Sequence, residues 1–322
     1  MNYKTDGDSI AEWIKSLCKS HEVIAPKKEP NGDIFYSIVE PSDAVCLDFA
    51  GTPINTPKDF IYENYKSLIR WNLAGNEAAI ETFEEKSKKR IIFLRNCDIK
   101  AIRLLDVWFE QDMADANYKK FRENLTLVTL GCHLIGPHCF CSTFGVDPIE
   151  KEDYELQLIK EETGYIVQAK NPMFELPKHL EEISYEPKEL KTVILDLGNA
   201  HTINDFEKNT ELYGEITKRC QLCDGCTFLC PTCTCYDIAD HGDEIKGERL
   251  RLWDSCLFSS FTKMAKGYDP EPTFAHAWSR RLSCKLVMND RSCIGCGRCD
   301  MTCPSNIGMK SILMLAQSKD HI

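Results

Sequence analysis

Twelve of the chain's 18 cysteines lie between Cys220 and Cys303, and eight of those form two copies of one spacing. Cys220, Cys223, Cys226 and Cys230 precede Pro231, and Cys293, Cys296, Cys299 and Cys303 precede Pro304. Each reads C-x2-C-x2-C-x3-C-P, the run that holds a [4Fe-4S] cubane through cysteine thiolates. Three closely spaced thiols wrap the cluster, and the proline stops the wrapping turn and redirects the chain. Gly225, Gly295 and Gly297 carry no Cβ and are expected to let backbone N–H groups approach the sulfides. A structural zinc ribbon asks for two C-x2-C arms on a longer spacer, and it does not ask for a third thiol two residues on. In two-cluster ferredoxins the fourth cysteine of each run serves the other cluster. The expected ligand sets are therefore Cys220, Cys223, Cys226 and Cys303 for one cluster, and Cys293, Cys296, Cys299 and Cys230 for the other.

Residues 231–292 separate the two runs. In this insertion GERLRLWDSCLFSSFTKMAKG has apolar residues at helix-like intervals, with Leu250, Trp253 and Leu257 on one face. Arg249, Arg251, Arg280 and Arg281 either balance negative clusters or form a solvated face. Cys233, Cys235, Cys256 and Cys284 match no ligand spacing and are read as buried apolar thiols near the clusters, with a further metal set as the alternative.

In the N-terminal part, DSIAEWIKSLCKS predicts an amphipathic helix with apolar Ile10, Trp13, Ile14 and Leu17 after an acidic or Ser cap. EVIAP and DIFYSIV predict strands, and NTPKDFIYENYKSLIRW a mixture of loop and helix. Ile91–Leu94 predicts a buried strand, followed by a helix capped by Asp98 with Ile99, Ile102, Leu105 and Trp108 on its apolar face. LTLVTLGC predicts a second buried strand, GPHCFCSTFG a loop, and YELQLIKEETGYIVQA a hairpin about ETG. Apolar strands alternating with a helix point to a parallel α/β sheet. Cys97 and Cys132 then fall just past carboxyl ends of strands, where open α/β sheets bind ligands. Cys139 and Cys141 follow in the next loop, so Cys97, Cys132, Cys139 and Cys141 are a candidate third [4Fe-4S] set. The alternative is four unrelated thiols. The expected architecture is α+β or α/β. An N-terminal mixed α/β domain over 1–205 precedes a helical dicluster ferredoxin-like domain over 206–322, with a long insertion between its cluster motifs.

The 322 residues carry a formal net charge of −11, with 43% hydrophobic and 28% charged residues. Such a chain suits two domains with real cores. Its acidity and the lack of a Lys/Arg block argue against nucleic acid or an anionic membrane as partner. MNYKTDGDSI has no apolar signal core, and no apolar run reaches membrane-spanning length. The expectation is a cytoplasmic protein, where thiols stay reduced and local cysteine packing means metal rather than disulfides. There is no G-x-G-x-x-G after a strand, no P-loop and no C-x-x-C-H. The chain thus reads as a conductor whose donor and acceptor chemistry lies elsewhere.

RNCDIKAIRLLD, GCHLIGPHCFCSTFGVDP, RCQLCDGCTFLCPTCTCYD, GERLRLWDSC and SCIGCGRCDMTCP occur in that order over roughly residues 90–305. Together they resemble the iron–sulfur subunits of the anaerobic sulfite reductases and the similar β subunits of cytosolic sulfhydrogenases. CPTCTCYD and the tail after Cys303 look more like the sulfite reductase family, and WDSC equally like the hydrogenase one. The resemblance carries motifs onto Cys97, Cys139, Cys141, Cys233 and Cys235, and leaves Cys284 outside, as a structural residue. It implies an iron–sulfur electron-transfer subunit with two [4Fe-4S] clusters, or three with the middle set. Its implied partners are a flavin subunit that oxidises NAD(P)H and a sirohaem catalytic subunit; the alternative to the latter is a nickel–iron hydrogenase. No catalytic residue of its own is expected. An iron–sulfur sensor or scaffold is the rival from another class; two clusters favour conduction, since sensing needs only one.

Overall fold

The computed structural model describes residues 1–73, 79–82, 89–110, 115–170, 175–198, 203, 205, 207–287 and 292–319. The boundary expected at 205/206 falls at the edge of this coverage, because residue 206 lies outside the described residues.

After β1 (Asn2–Thr5), α1 (Gly7–Leu17) starts where the Asp6 carboxylate accepts the Ser9 N–H at 2.7 Å, an N-cap. Its buried stripe is Ile10, Trp13, Ile14 and Leu17, as the 3.6-residue period requires. β2 (Glu22–Lys28) and β3 (Ile34–Val39) form an antiparallel pair. NTPKDFIYENYKSLIRW departs from expectation: a short 3-10 turn at Pro57–Phe60 leads into β4 (Tyr65–Asn72), a strand paired with β5 (Ala79–Thr82).

β6 (Arg90–Arg95), α2 (Asn96–Phe109), α3 (Ala116–Glu123) and β7 (Leu125–Gly131) follow, with β6 parallel to both β2 and β7. Successive side chains of a strand point to opposite faces. Ile91 and Phe93 accordingly pack with Trp13 and Ile14 of α1, while Ile92 and Leu94 pack with Ile99, Ile102 and Leu105 of α2. Both faces of the strand are thus buried, which is why it reads as a continuous apolar run. Trp108 lies off this face and is 41% exposed, contrary to its expected place in the stripe. β8 (Leu156–Lys160) and β9 (Tyr165–Ala169) make the expected hairpin, and β10 (Glu181–Glu182) closes the edge. The eight-stranded sheet runs β10-β1-β9-β8-β7-β6-β2-β3, parallel through β2, β6, β7 and β8.

The C-terminal part opens with α4 (Thr210–Arg219) and the single turn α5 (Gly225–Phe228). The first part of the insertion is a hairpin of β11 (Tyr236–Gly242) and β12 (Lys246–Trp253), not the helix expected over GERLRLW. The apolar spacing of Leu250, Trp253 and Leu257 fits a helix by coincidence. The Arg249-Leu250-Arg251-Leu252 alternation has the strand period, and pairing with β4 completes the four-stranded sheet β11-β12-β4-β5. α6 (Phe274–Leu286), α7 (Arg298–Met301) and α8 (Met309–Lys319) follow. Trp278, Leu282 and Leu286 of α6 share a core with Tyr213 and Ile216 of α4 and Ile312 and Leu313 of α8. The architecture is α+β as expected, with a hairpin added to a helical C-terminal part. Among the described residues no helix is long and apolar enough to cross a membrane.

Candidate metal centres

The two ferredoxin-type runs adopt one backbone course. Leu222 and Asp224 flank Cys223 with φ of 55° and 54°, and Gly295 and Gly297 flank Cys296 with φ of 65° and 79°. This left-handed excursion turns the chain around the central thiol, and one helical turn follows, α5 in the first run and α7 in the second. Glycine is needed in the second run for a further reason. A Cβ on Gly295 would lie 2.5 Å from the Phe140 carbonyl oxygen and 2.6 Å from the Cys141 nitrogen. Gly225, expected to serve backbone approach, instead opens α5, and Leu222 and Asp224 take the left-handed positions.

Cys220, Cys223, Cys226 and Cys303 line one hollow together with Leu257 and Trp278. Cys230, Cys293, Cys296 and Cys299 line a second with Arg281 and Lys285. The fourth cysteine of each run thus reaches the hollow of the other. Among the described residues no three His, Cys, Asp or Glu side chains converge on one metal-ion position. Thiols spread around a hollow suit a polynuclear cluster better than the close tetrahedron of zinc. Backbone N–H groups already point at sulfur: Met309 at Cys299 Sγ (3.3 Å) and Ile307 at Cys303 Sγ (3.5 Å). Hydrogen bonds of this kind tune cluster potential.

Burial raises most of these thiols, Cys226 and Cys296 to about 11 and Cys293 to about 12. Burial and the Asp300 carboxylate push Cys299 well above the ordinary range. Cys230 goes the other way: a hydrogen bond from the Cys233 thiol, with Lys285 and Arg281 beside it, favours its thiolate. Arg281 donates to the Cys226 carbonyl oxygen at 2.6 Å, and Lys285 to Thr232 Oγ1 at 2.9 Å. The four arginines singled out in the sequence divide. Arg281 is buried among the thiols, and Arg251 is buried against Asp115 and Tyr62. Arg280 pairs with Glu271 and donates to the Cys256 carbonyl. Arg249 is exposed and bidentate to Asp240, a solvated pair.

The middle cysteines occupy the join between sheet and runs. Cys97 opens α2 and packs with Cys141, Ile294 and Cys296 in one buried cluster. Cys132 and Cys139 lie close enough to Cys141 that their charges, after burial, push its thiol up to about 12. The 136–141 loop lies directly on the second run, with Phe140 N–H donating to the Gly295 carbonyl at 3.0 Å. Asp98 does not cap α2. Its carboxylate, 0% exposed, is bidentate to the equally buried Arg298 guanidinium of α7 at 2.6 and 2.8 Å, and it accepts the Tyr36 hydroxyl at 2.7 Å. Sequence reading missed Arg298 because its partner lies 200 residues away.

Cys233, Cys235, Cys256 and Cys284, read as separate buried thiols, all line one cavity of about 890 Å³. No sequence interval announces this, since the CPTCTC loop, the segment after β12 and α6 bring them together.

Residues 219–307 match the protein family described as 4Fe-4S dicluster domain, which covers both runs and the insertion. The chain is thus an iron–sulfur electron-transfer protein. Across nearly its full length it is similar to Sulfhydrogenase 2 subunit beta of Pyrococcus furiosus (strain ATCC 43587 / DSM 3638 / JCM 8422 / Vc1). The two are 24% identical over 331 residues, 96% of each chain. The likeness to a sulfhydrogenase β or dicluster electron-transfer subunit implied by the motifs is borne out. Comparison with solved structures gives no match.

Proposed function

We propose that this chain is the electron-transfer subunit of a multi-subunit hydrogenase of the sulfhydrogenase kind. It would conduct between a flavin subunit that oxidises or reduces NAD(P)(H) and a nickel–iron catalytic subunit. The observation that carries this reading is the full-length similarity to a sulfhydrogenase β subunit, joined to two complete four-thiol sets. The sulfite reductase assignment, weighted first on the motifs alone, becomes the second reading, and CPTCTCYD is the feature that favours it.

Cys220, Cys223, Cys226 and Cys303 would hold one [4Fe-4S] cluster and Cys230, Cys293, Cys296 and Cys299 the other. Cys97, Cys132, Cys139 and Cys141 are proposed for a third. Such clusters, when bound, supply one-electron transfer. The chain's own residues set the environment. Arg281 and Lys285 offset thiolate charge, and the Met309 and Ile307 N–H groups bond to sulfur. Trp278, Leu257 and Phe140 exclude water. The Asp98–Arg298 pair fixes the second run against the sheet edge that bears Cys97 and Cys132.

Anaerobic purification of the native complex, with partner identification and nickel and sirohaem assays, tests the reading. A nickel–iron partner is expected. A sirohaem partner would move the assignment to sulfite reductase, and NADH oxidation by the pure chain without a flavoprotein would contradict the conductor reading.

A further inference from the structure

The large cavity is built unlike the rest of this acidic protein. Of the residues that line it, four are cations, Lys100, Arg280, Arg281 and Lys285, and none is a carboxylate. Arg281 and Lys285 are 3% and 2% exposed, and among the described residues neither has a carboxylate partner. Uncompensated buried charge is strongly destabilising. The second ferredoxin-type hollow shares these two cations and supplies part of the compensation; Arg280 is already paired with Glu271, so Arg281 and Lys285 carry the uncompensated charge that this cavity of about 890 Å³ receives. An anion fits here.

The same walls carry four thiols. Cys233 and Cys235 come from the loop after the first run, Cys256 from the segment after β12, and Cys284 from α6. Cys235 and Cys256 hydrogen-bond thiol to thiol, and the Arg281 guanidinium lies 3.9 Å from Cys233 Sγ. Leu104 and Leu105 of α2 with Phe144 make an apolar wall that limits water. Clustered thiols are soft donors that select zinc, copper(I) or iron–sulfur clusters. A single ion needs thiols in van der Waals contact around it, and no three side chains among the described residues meet that way.

We infer that Cys233, Cys235, Cys256 and Cys284 ligate a further [4Fe-4S] cluster in this cavity, distinct from the ferredoxin-type pair and from the Cys97 set. On assembly each of the four thiols gives one proton to solvent as its sulfur bonds to iron, and the iron and sulfide come from the assembly donor. The site adjoins the second hollow. Cys293 contributes to the shared wall, and Cys233 hydrogen-bonds to Cys230 across it. An electron held here would therefore be one short step from the dicluster. The inference does not depend on which catalytic subunit is the partner.

The test is an iron and acid-labile sulfide count on the anaerobically purified full chain, set beside Cys235→Ser/Cys256→Ser, Cys284→Ser and, as a control, Cys296→Ser. Each variant at the new site should lose about four irons per chain while the other clusters keep theirs. Alkylation mapping of the wild type supplies a readout that needs no variant. Cys235, Cys256 and Cys284 should be protected in the iron-loaded chain and labelled after chelation. Full iron retention in both site variants, or labelling of these three thiols in the loaded chain, overturns the inference. If Cys296→Ser loses iron and the site variants do not, the dicluster stands and only this site falls; zinc in the cavity would also overturn it.

Discussion

Removing the Asp98 charge should loosen the second ferredoxin-type run from the sheet. In Asp98→Asn the Arg298 guanidinium keeps its donations to the Pro53 and Asn55 carbonyls, both 2.9 Å, and loses its counter-charge at 0% exposure. Breaking a buried pair by removing one partner costs about 3–5 kcal/mol, because the remaining charge stays buried. At about 2 °C per kcal/mol for a chain of this size, the unfolding midpoint falls by roughly 6–10 °C. Arg298→Met should cost as much, since it strands Asp98 and orphans two carbonyls as well. The combination Asp98→Asn/Arg298→Met removes both charges, so its cost should be less than the sum of the singles by at least about 1.5 kcal/mol, the signature of direct coupling. Unfolding would be followed anaerobically at one fixed scan rate, by circular dichroism and by visible cluster absorption, because irreversible loss makes the midpoint rate-dependent. Cluster bleaching should shift with the unfolding signal. A loss below about 1 kcal/mol in either single variant, or strict additivity in the double, would refute the claim that this pair fastens the two parts.

Gly295→Ala should destabilise the chain by roughly 2 kcal/mol or more and lower second-cluster occupancy, since the added methyl meets the Phe140 carbonyl and the Cys141 backbone. Thermal unfolding with an iron count checks it. Leu222→Gly should raise stability by about 1 kcal/mol, because exposed Leu222 holds a φ of 55° that glycine adopts without penalty. Urea unfolding of the pair of proteins measures the difference. Ile92→Ala, at a fully buried position between β6 and α2, should cost about 2–5 kcal/mol. Cys223→Ser and Cys296→Ser should each remove roughly four irons while leaving the far-ultraviolet spectrum of the sheet intact.

The legible parts of this fold are those with a local cause. Asp6 and the stripe Ile10, Trp13, Ile14 and Leu17 announce α1 within eleven residues. Ile91–Leu94 announces a central strand because both of its faces are buried. The repeated spacing announces the backbone course that the two runs share. What stayed illegible depends on partners far along the chain. β12 is a strand because β4 lies ready to pair with it, and its Arg251 is buried because Tyr62 and Asp115 receive it. Asp98 looked like a helix cap, since the local pattern of a cap and of a buried ion-pair partner is the same until Arg298 arrives. Cys284 carried no signal, because only α6 lying against the CPTCTC loop makes it a neighbour of Cys233 and Cys235. The left-handed turns at Leu222 and Asp224 were hidden for another reason: the residues that usually mark them, glycines, stand only in the second run.

The crossed ligation proposed for the two ferredoxin-type runs gives each cluster three cysteines of its own run and one of the other. Electron paramagnetic resonance of the dithionite-reduced full chain, in wild type, Cys230→Ser and Cys303→Ser, tests it most directly. The reduced wild type should show interacting [4Fe-4S]⁺ signals that include one from each ferredoxin-type run. Cys303→Ser should alter the signal that Cys223→Ser abolishes, and Cys230→Ser the one that Cys296→Ser abolishes. If Cys230→Ser instead alters the cluster of Cys223, the ligation is not crossed; if the reduced wild type shows no [4Fe-4S]⁺ signal, the electron-transfer account fails with it.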